Sequence, residues 1–218
     1  MPSDPNPLIQ KDFQAVPGWS ILTFLLAVPV IGVPAVWLLP DRSMLPLLTL
    51  FFGVGLLAVL VAVAPLGWAA AQALALRPAG WRPVIAGVLG TTVLSFAVSR
   101  IGLQPEGIRQ VTEAVIVPQE LLWTLAVLAL LAPLVEELVF RGLFYGWLAG
   151  RWGSIVALIA SSLAFAAAHV EPAHAILVLP LGLWFGWLRR WTNSLLPSLV
   201  AHMVNNGVAV VAAAFLSS

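Results

Sequence analysis

Apolar residues fall along this chain in seven long stretches, at roughly 19–39, 44–66, 83–99, 120–149, 153–170, 174–188 and 194–216, with short polar turns between them. A helix needs about 20 apolar residues to cross a hydrocarbon core of about 30 Å. The pattern predicts an all-α fold, a polytopic transmembrane helical bundle of about seven spans. The third and sixth stretches are short for a crossing and are expected to run into their polar flanks or to lie shallow. Pro29 and Pro34 predict bends in the first helix, and Pro65 a bend or an end in the second. One segment breaks the pattern. Residues 100–119 carry Arg100, Glu106, Arg109 and Glu113 among Val111, Val115 and Ile116. They are too polar to span and read either as an interfacial helix or lid, or as a connecting loop.

Composition sharpens the class. The chain has 218 residues, 61% hydrophobic and 9% charged, with a mean hydropathy of +1.02. A soluble domain carries about 25% charged residues. An integral, multi-pass membrane protein is expected, with a short polar N-terminal tail over 1–16. Lys11 stands there against Asp4 and Asp12, so the first apolar stretch reads as a retained span and not a cleaved signal. There are no cysteines, which excludes disulfides, thiolate metal sites and cysteine nucleophiles. The net charge is +1 and no basic run suits a phosphate backbone, so nucleic acid is not an expected partner. Lys11, Arg77, Arg82, Arg151, Arg189 and Arg190 fall in turns on one side of a seven-span bundle, and Arg42, Arg100 and Arg109 on the other. The richer side is expected to be cytoplasmic, which puts the N-terminus in and the C-terminus out. Gly142, Gly146 and Gly150 share one helix face, and Gly182 and Gly186 another, as close-packing faces do.

The chemistry lies in the apolar stretches. Glu136 and Glu137 sit adjacent within the fourth, where an ionised carboxylate is costly unless a polar interior satisfies it. Glu137 and Arg141 are one turn apart on one face, acid first, while Glu136 points about 100° away. One acid can be held by the arginine while the other meets a reactant; the plain alternative is a structural ion pair beside a neutral acid. Pro133 frees a backbone carbonyl in the preceding turn. Phe165 and His169 share a face of the next helix, and His202 and Asn206 a face of the last. His202 and Asn206 can donate to an oxyanion, or they can simply bond across helices. Asn205 reads as packing or as a helix–helix tie, His174 as a loop residue and Glu171 as a surface acid. Counted at 1.5 Å per residue, these groups fall in one broad layer of the bundle.

No serine or threonine stands in a nucleophile setting, so water activation is the natural chemistry. A glutamate aided by a histidine takes a proton from water attacking a peptide carbonyl. Metal remains open beside it, because Glu136, His169 and His202 are a plausible zinc set. Metal-free chemistry with no cofactor is preferred, since the spacing is not His-Glu-x-x-His and Arg141 already supplies positive charge.

Glu136-Glu137-x-x-x-Arg141, Phe165-x-x-x-His169 and His202-x-x-x-Asn206, with their Ala-Pro-Leu-Val and Leu-Val-Ala flanks, resemble the three motifs of the CAAX protease and bacteriocin-processing (CPBP) family, also called type II CAAX prenyl endopeptidases or Abi proteins. The resemblance covers about residues 118–210. It implies an intramembrane endopeptidase with a water-accessible cavity, a catalytic core over 118–218 and N-terminal helices with the interfacial segment over 17–117, all in one membrane domain. In the family the first glutamate and the second-motif histidine activate water, which assigns Glu136 and His169. The third motif forms the oxyanion site, here His202 and Asn206, with Glu137, Arg141 and Phe165 in support. The implied substrate is a hydrophobic or lipidated peptide cut near its C-terminus, with membrane lipids as the surroundings. Short loops without extensions fit a bacterial inner membrane and a role in peptide maturation. Two rival classes stay in view: a peptide-binding or immunity protein that does not cut, and a transporter, which the lack of an internal repeat disfavours.

Overall fold

The structure, a computed structural model, describes residues 14–115 and 120–216. Most of the polar tail expected over 1–16, with Asp4, Lys11 and Asp12, lies outside the described residues, as does the 116–119 end of the polar segment.

The described chain is helical. Helix α1 spans Gly18–Leu38, α2 Met44–Ala73, α3 Trp81–Ser99, α4 Glu106–Val115, α5 Leu121–Trp152, α6 Ser154–Ala167, α7 Pro172–Thr192 and α8 Leu196–Leu216. Five of them, α1, α2, α3, α5 and α8, are long and apolar enough to cross a membrane, which makes this an all-α, polytopic membrane bundle. Helix α6 has only 14 residues, and α7, with Arg189 and Arg190 in its last turn, is not among the five.

Lipid replaces water as the outer solvent, so burial does not track hydrophobicity here. Trp37, Leu38, Phe51, Trp68, Leu89 and Phe96 all point outward. Only 6% of the apolar stretch of α1 is buried against 44% of that of α5, so α5 is the central helix and α1 a peripheral one. Helix α1 lies on α2, α2 on α5, α6 on α5 and α7, and α3 on α7 and α8.

Local signals explain the breaks. Gly153 takes a φ of 85° and separates α5 from α6 within one residue. Asn193, at φ 49°, ends α7 in the left-handed conformation that amides tolerate. Pro172 occupies the first turn of α7, where its missing N–H costs nothing. That start corrects the reading of His174 as a loop residue: it lies in the first turn of α7. The two arginines expected in a turn are helical as well. Arg189 is buried, its Nε donating to the Arg141 carbonyl at 3.1 Å and its Nη1 to Asn193 Oδ1 at 2.9 Å. The polar segment contains a helix, α4. Arg109 pairs with Glu106 at 2.6 Å and with Glu113 at 2.7 Å, and the Glu106 N–H donates to Glu171 Oε1 at 2.8 Å.

Small residues set the close approaches. A methyl group on Gly182 would meet Phe165 at 3.0 Å, and one on Gly186 would meet Ser162 Oγ at 3.0 Å, so α7 lies directly on α6. A methyl group on Gly90 would lie 2.2 Å from the Trp184 ring, which is itself tied by Nε1 to the Gly87 carbonyl at 3.2 Å. Gly90→Ala should therefore destabilise the α3–α7 contact by about 1–3 kcal/mol. Denaturation in detergent checks this, with Gly53→Ala, which has nothing within 4 Å, as the neutral control.

Candidate active site

The central helix is not a uniform α-helix. Residues Leu125–Leu131 and Leu138–Phe144 are π-helical, and the glutamates lie in the short α segment Ala132–Glu137 between them. Such insertions re-aim side chains and recur at functional sites. In the first π stretch the Ala132 N–H bonds to the Val127 carbonyl, five residues back. The next donor in that ladder, to the Leu128 carbonyl, is position 133. Proline has no N–H to give, so the Leu128 carbonyl turns to another partner. Asn206 Nδ2 donates to it at 3.1 Å. The proline was expected to free a carbonyl; the π register decides that it is Leu128.

Glu137 and Arg141 are both fully buried, with Oε1 and Nη1 3.1 Å apart. Arg141 Nη2 donates to the Gly182 carbonyl at 2.9 Å, and its guanidinium lies over the Phe165 ring at 4.4 Å and near Phe185 at 5.5 Å. The planar cation is thus held by an anion, a carbonyl and two ring faces from three helices, α5, α6 and α7. A lysine cannot reproduce that set.

His202 from α8 reaches both acids. Its Nδ1 lies 3.2 Å from Glu137 Oε1 and its Nε2 3.5 Å from Glu136 Oε2, with the ring stacked on Phe185 at 4.9 Å. The Glu136 side chain keeps 21% exposure where Glu137 keeps none. The two adjacent acids therefore differ in access, as a rotation of about 100° per residue allows.

His169 ends α6. Its Nδ1 contacts the Phe165 carbonyl at 2.9 Å. A carbonyl cannot donate, so Nδ1 carries the hydrogen, and in the neutral ring Nε2 offers a lone pair. The ring sits edge-on to Phe165 at 5.0 Å and to His174 at 4.4 Å. Phe165 also meets His202 at 5.9 Å, so one phenyl ring touches both imidazoles and the Arg141 cation. Val170 follows at φ 60°, rare for a β-branched residue, and gives the turn into α7.

The third motif lies along α8. His202 faces the acids and Asn206 the π stretch, while Asn205 bonds Ser95 of α3 and donates to Asn206 Oδ1 at 3.4 Å. Sequence reasoning missed His174, Ser95, Phe185 and the carbonyls of Leu128 and Gly182. The carbonyls carry no side-chain signal at all. His174 was visible as a residue, and the proline two positions before it marks the helix start that brings it to His169. The alternative zinc set of Glu136, His169 and His202 does not fit: among the described residues no three acids or imidazoles are grouped to hold a metal ion. No step below runs through one.

A membrane bundle that brings acids and imidazoles together in its interior defines the class, and comparison with known proteins shows what part of the chain resembles. Residues 118–208 match the family described as type II CAAX prenyl endopeptidase Rce1-like. The chain is 24% identical over 125 residues to the putative membrane peptidase YdiL of Bacillus subtilis (strain 168), covering 57% of this chain and 49% of that protein. It is 35% identical over 89 residues to the membrane-embedded CAAX protease MroQ of Staphylococcus aureus (strain USA300), covering 38% and 36%. The matches thus span about half, or less, of these relatives. No solved structure matches. Over residues 118–208 the chain is thus similar to CAAX/Rce1-like intramembrane proteases, and it is an integral, multi-pass membrane protein with bacterial relatives.

Removing one partner of a buried ion pair strands the other. Arg141→Ala should cost about 3–5 kcal/mol, and Arg141→Lys should recover only part of it. Chemical denaturation in detergent micelles measures both; equal stability of Arg141→Lys and the parent would show that the planar contacts contribute little.

Proposed function

We propose that the chain is an intramembrane endopeptidase that hydrolyses a peptide bond in a hydrophobic or lipidated peptide, near its C-terminus, by glutamate-activated water. The observation that carries this reading is the His202 imidazole set between a closed acid and a partly open one, Glu137 and Glu136. Similarity of residues 118–208 to a protease family supports the hydrolase class, and the description of the staphylococcal relative as a membrane-embedded CAAX protease supports the substrate class.

Glu136 is the base. It takes one proton from a water molecule whose oxygen attacks the scissile carbonyl, and His169, with its Nε2 lone pair, orients that water or shares its proton. The C=O π bond becomes an oxyanion, which accepts hydrogen bonds from His202 and from the second N–H of Asn206. Collapse reforms the carbonyl and breaks the C–N bond, and Glu136 returns its proton to the leaving amine. Glu137 and Arg141 do not react. They hold His202 and the central helix in register, and Phe165 fixes the spacing of the two imidazoles. Hydrocarbon around the site strengthens each of these interactions relative to water.

In this reading the apolar helices form about seven crossings, α6 and α7 completing the five long ones. The N-terminus is cytoplasmic, a cavity admits water to Glu136, and residues 118–218 are the catalytic core with 17–117 around it. Helix α4 lies on the membrane surface beside the His169 turn, to which Glu171 ties it, in the position of a lid.

The test uses the purified full chain in liposomes with C-terminal hydrophobic and lipidated peptides. Glu136→Ala and His169→Ala should each lower kcat by about 10²–10⁴-fold. A strong chelator should leave activity unchanged. Activity that the chelator abolishes and zinc restores would replace this mechanism with a metal-dependent one, and full activity in Glu136→Ala would remove the assigned base.

A further inference from the structure

Three hydrogen bonds of one polarity run from α3 to the central helix. The Ser95 hydroxyl donates to Asn205 Oδ1, Asn205 Nδ2 donates to Asn206 Oδ1 at 3.4 Å, and Asn206 Nδ2 donates to the Leu128 carbonyl at 3.1 Å. The order is forced from its far end. A carbonyl accepts only, so Asn206 must present its nitrogen to Leu128 and its oxygen to Asn205. Asn205 must then turn its own nitrogen toward Asn206 and its oxygen toward Ser95. The carboxamide of Asn206, which is ambiguous by shape, is thereby fixed in one of two orientations. In that orientation one N–H is used by Leu128 and the other is left for a further acceptor. Flipped, the amide would set its oxygen against the Leu128 carbonyl, two acceptors facing each other.

We propose that Ser95 and Asn205 are positioning residues that set the orientation of the Asn206 carboxamide so that its second N–H is aimed at the reacting oxygen. Neither touches the substrate in this scheme. Ser95 lies on α3, outside the 118–208 stretch that matches the family. A helix beyond that stretch therefore contributes to the oxyanion donor through two side chains. Asn205 ties α8 to α3, the helix–helix contact that is one of the two readings of it, and is a link in this chain. The packing of α3 on α8 brings the hydroxyl to the right height.

The inference rests on the peptidase reading for its effect on catalysis, and on geometry alone for its effect on Asn206. Two readouts keep these apart. With the full chain in liposomes and the cleaved peptide as substrate, Ser95→Ala and Asn205→Leu should each lower kcat about tenfold and leave KM within about twofold, the pattern of a contact made in the transition state. The double variant should lose little more than either single one, because residues of one chain of hydrogen bonds are not additive. Ser95→Thr, which keeps the hydroxyl, should stay within about threefold of the parent on the same grounds. Independently, ¹⁵N-asparagine labelling of a chain with only four asparagines allows the Asn206 carboxamide protons to be followed by NMR, assigned by their loss in Asn206→Asp. Their slow solvent exchange should be lost in Ser95→Ala and in Asn205→Leu, and kept in Ser95→Thr. If no peptide is cut but the exchange changes as stated, the orientation of Asn206 stands and the peptidase reading fails. Unchanged exchange, or kcat within about twofold of the parent in both variants of a chain that does cut, overturns the proposal.

Discussion

The buried pair of Glu137 and Arg141 is the constraint on which the rest of the interior depends. Two full charges at zero exposure in a hydrocarbon-facing bundle have no water to fall back on. Each must therefore be satisfied by the protein, and the partners come from other helices. Arg141 draws the Gly182 carbonyl from α7 and the Phe165 ring from α6, and Glu137 draws His202 from α8. One ion pair thus ties four helices together at a single level. The glycines at 182 and 186 follow from this, because a larger residue would hold α7 away from the guanidinium and from α6.

The second organising feature is the change of helical pitch around the glutamates. A regular α-helix through Pro133 would break one bond of its ladder and bend. Here the ladder widens on both sides of the acids, and side chains of other helices bond to carbonyls along it: Asn206 to Leu128 and Arg189 to Arg141. Irregular backbone inside a membrane is tolerated only where the protein re-satisfies it. That requirement explains why an asparagine and a buried arginine face the central helix at these two points. The residue that repairs the backbone at the first widening, Asn206, lies one turn from His202 on α8, so the repair and the bridge to the acids come from one helix.

Adjacent identical residues acquire different properties from a single residue step along the helix. Glu137 is closed in by Arg141 and His202, while Glu136, rotated by about 100°, keeps a fifth of its side chain open. His169 and His202 differ in the same way. The first has one nitrogen committed to a backbone carbonyl and one available; the second has both facing carboxylates. Division of labour among like residues is thus a matter of which neighbours the helix faces meet.

Much of this was legible in the chain itself. Hydrophobic run length predicts the helices to within a few residues, because a span in lipid must close its own backbone hydrogen bonds. The i,i+4 spacing of Glu137 and Arg141 fixes their pairing, since both lie on one face whatever surrounds them. The spacing could not reveal that His202 bridges the two acids, that the freed carbonyl is Leu128, that Arg189 is buried, or that His174 begins a helix beside His169. Most of those facts depend on the register between helices whose contacting residues lie 48 to 110 residues apart in sequence, and on a backbone pitch that no side chain encodes. Local periodicity decides what a segment becomes, because its hydrogen bonds are internal. Only packing decides which atoms of separate segments meet, because that is set by the joint fit of all the helices at once.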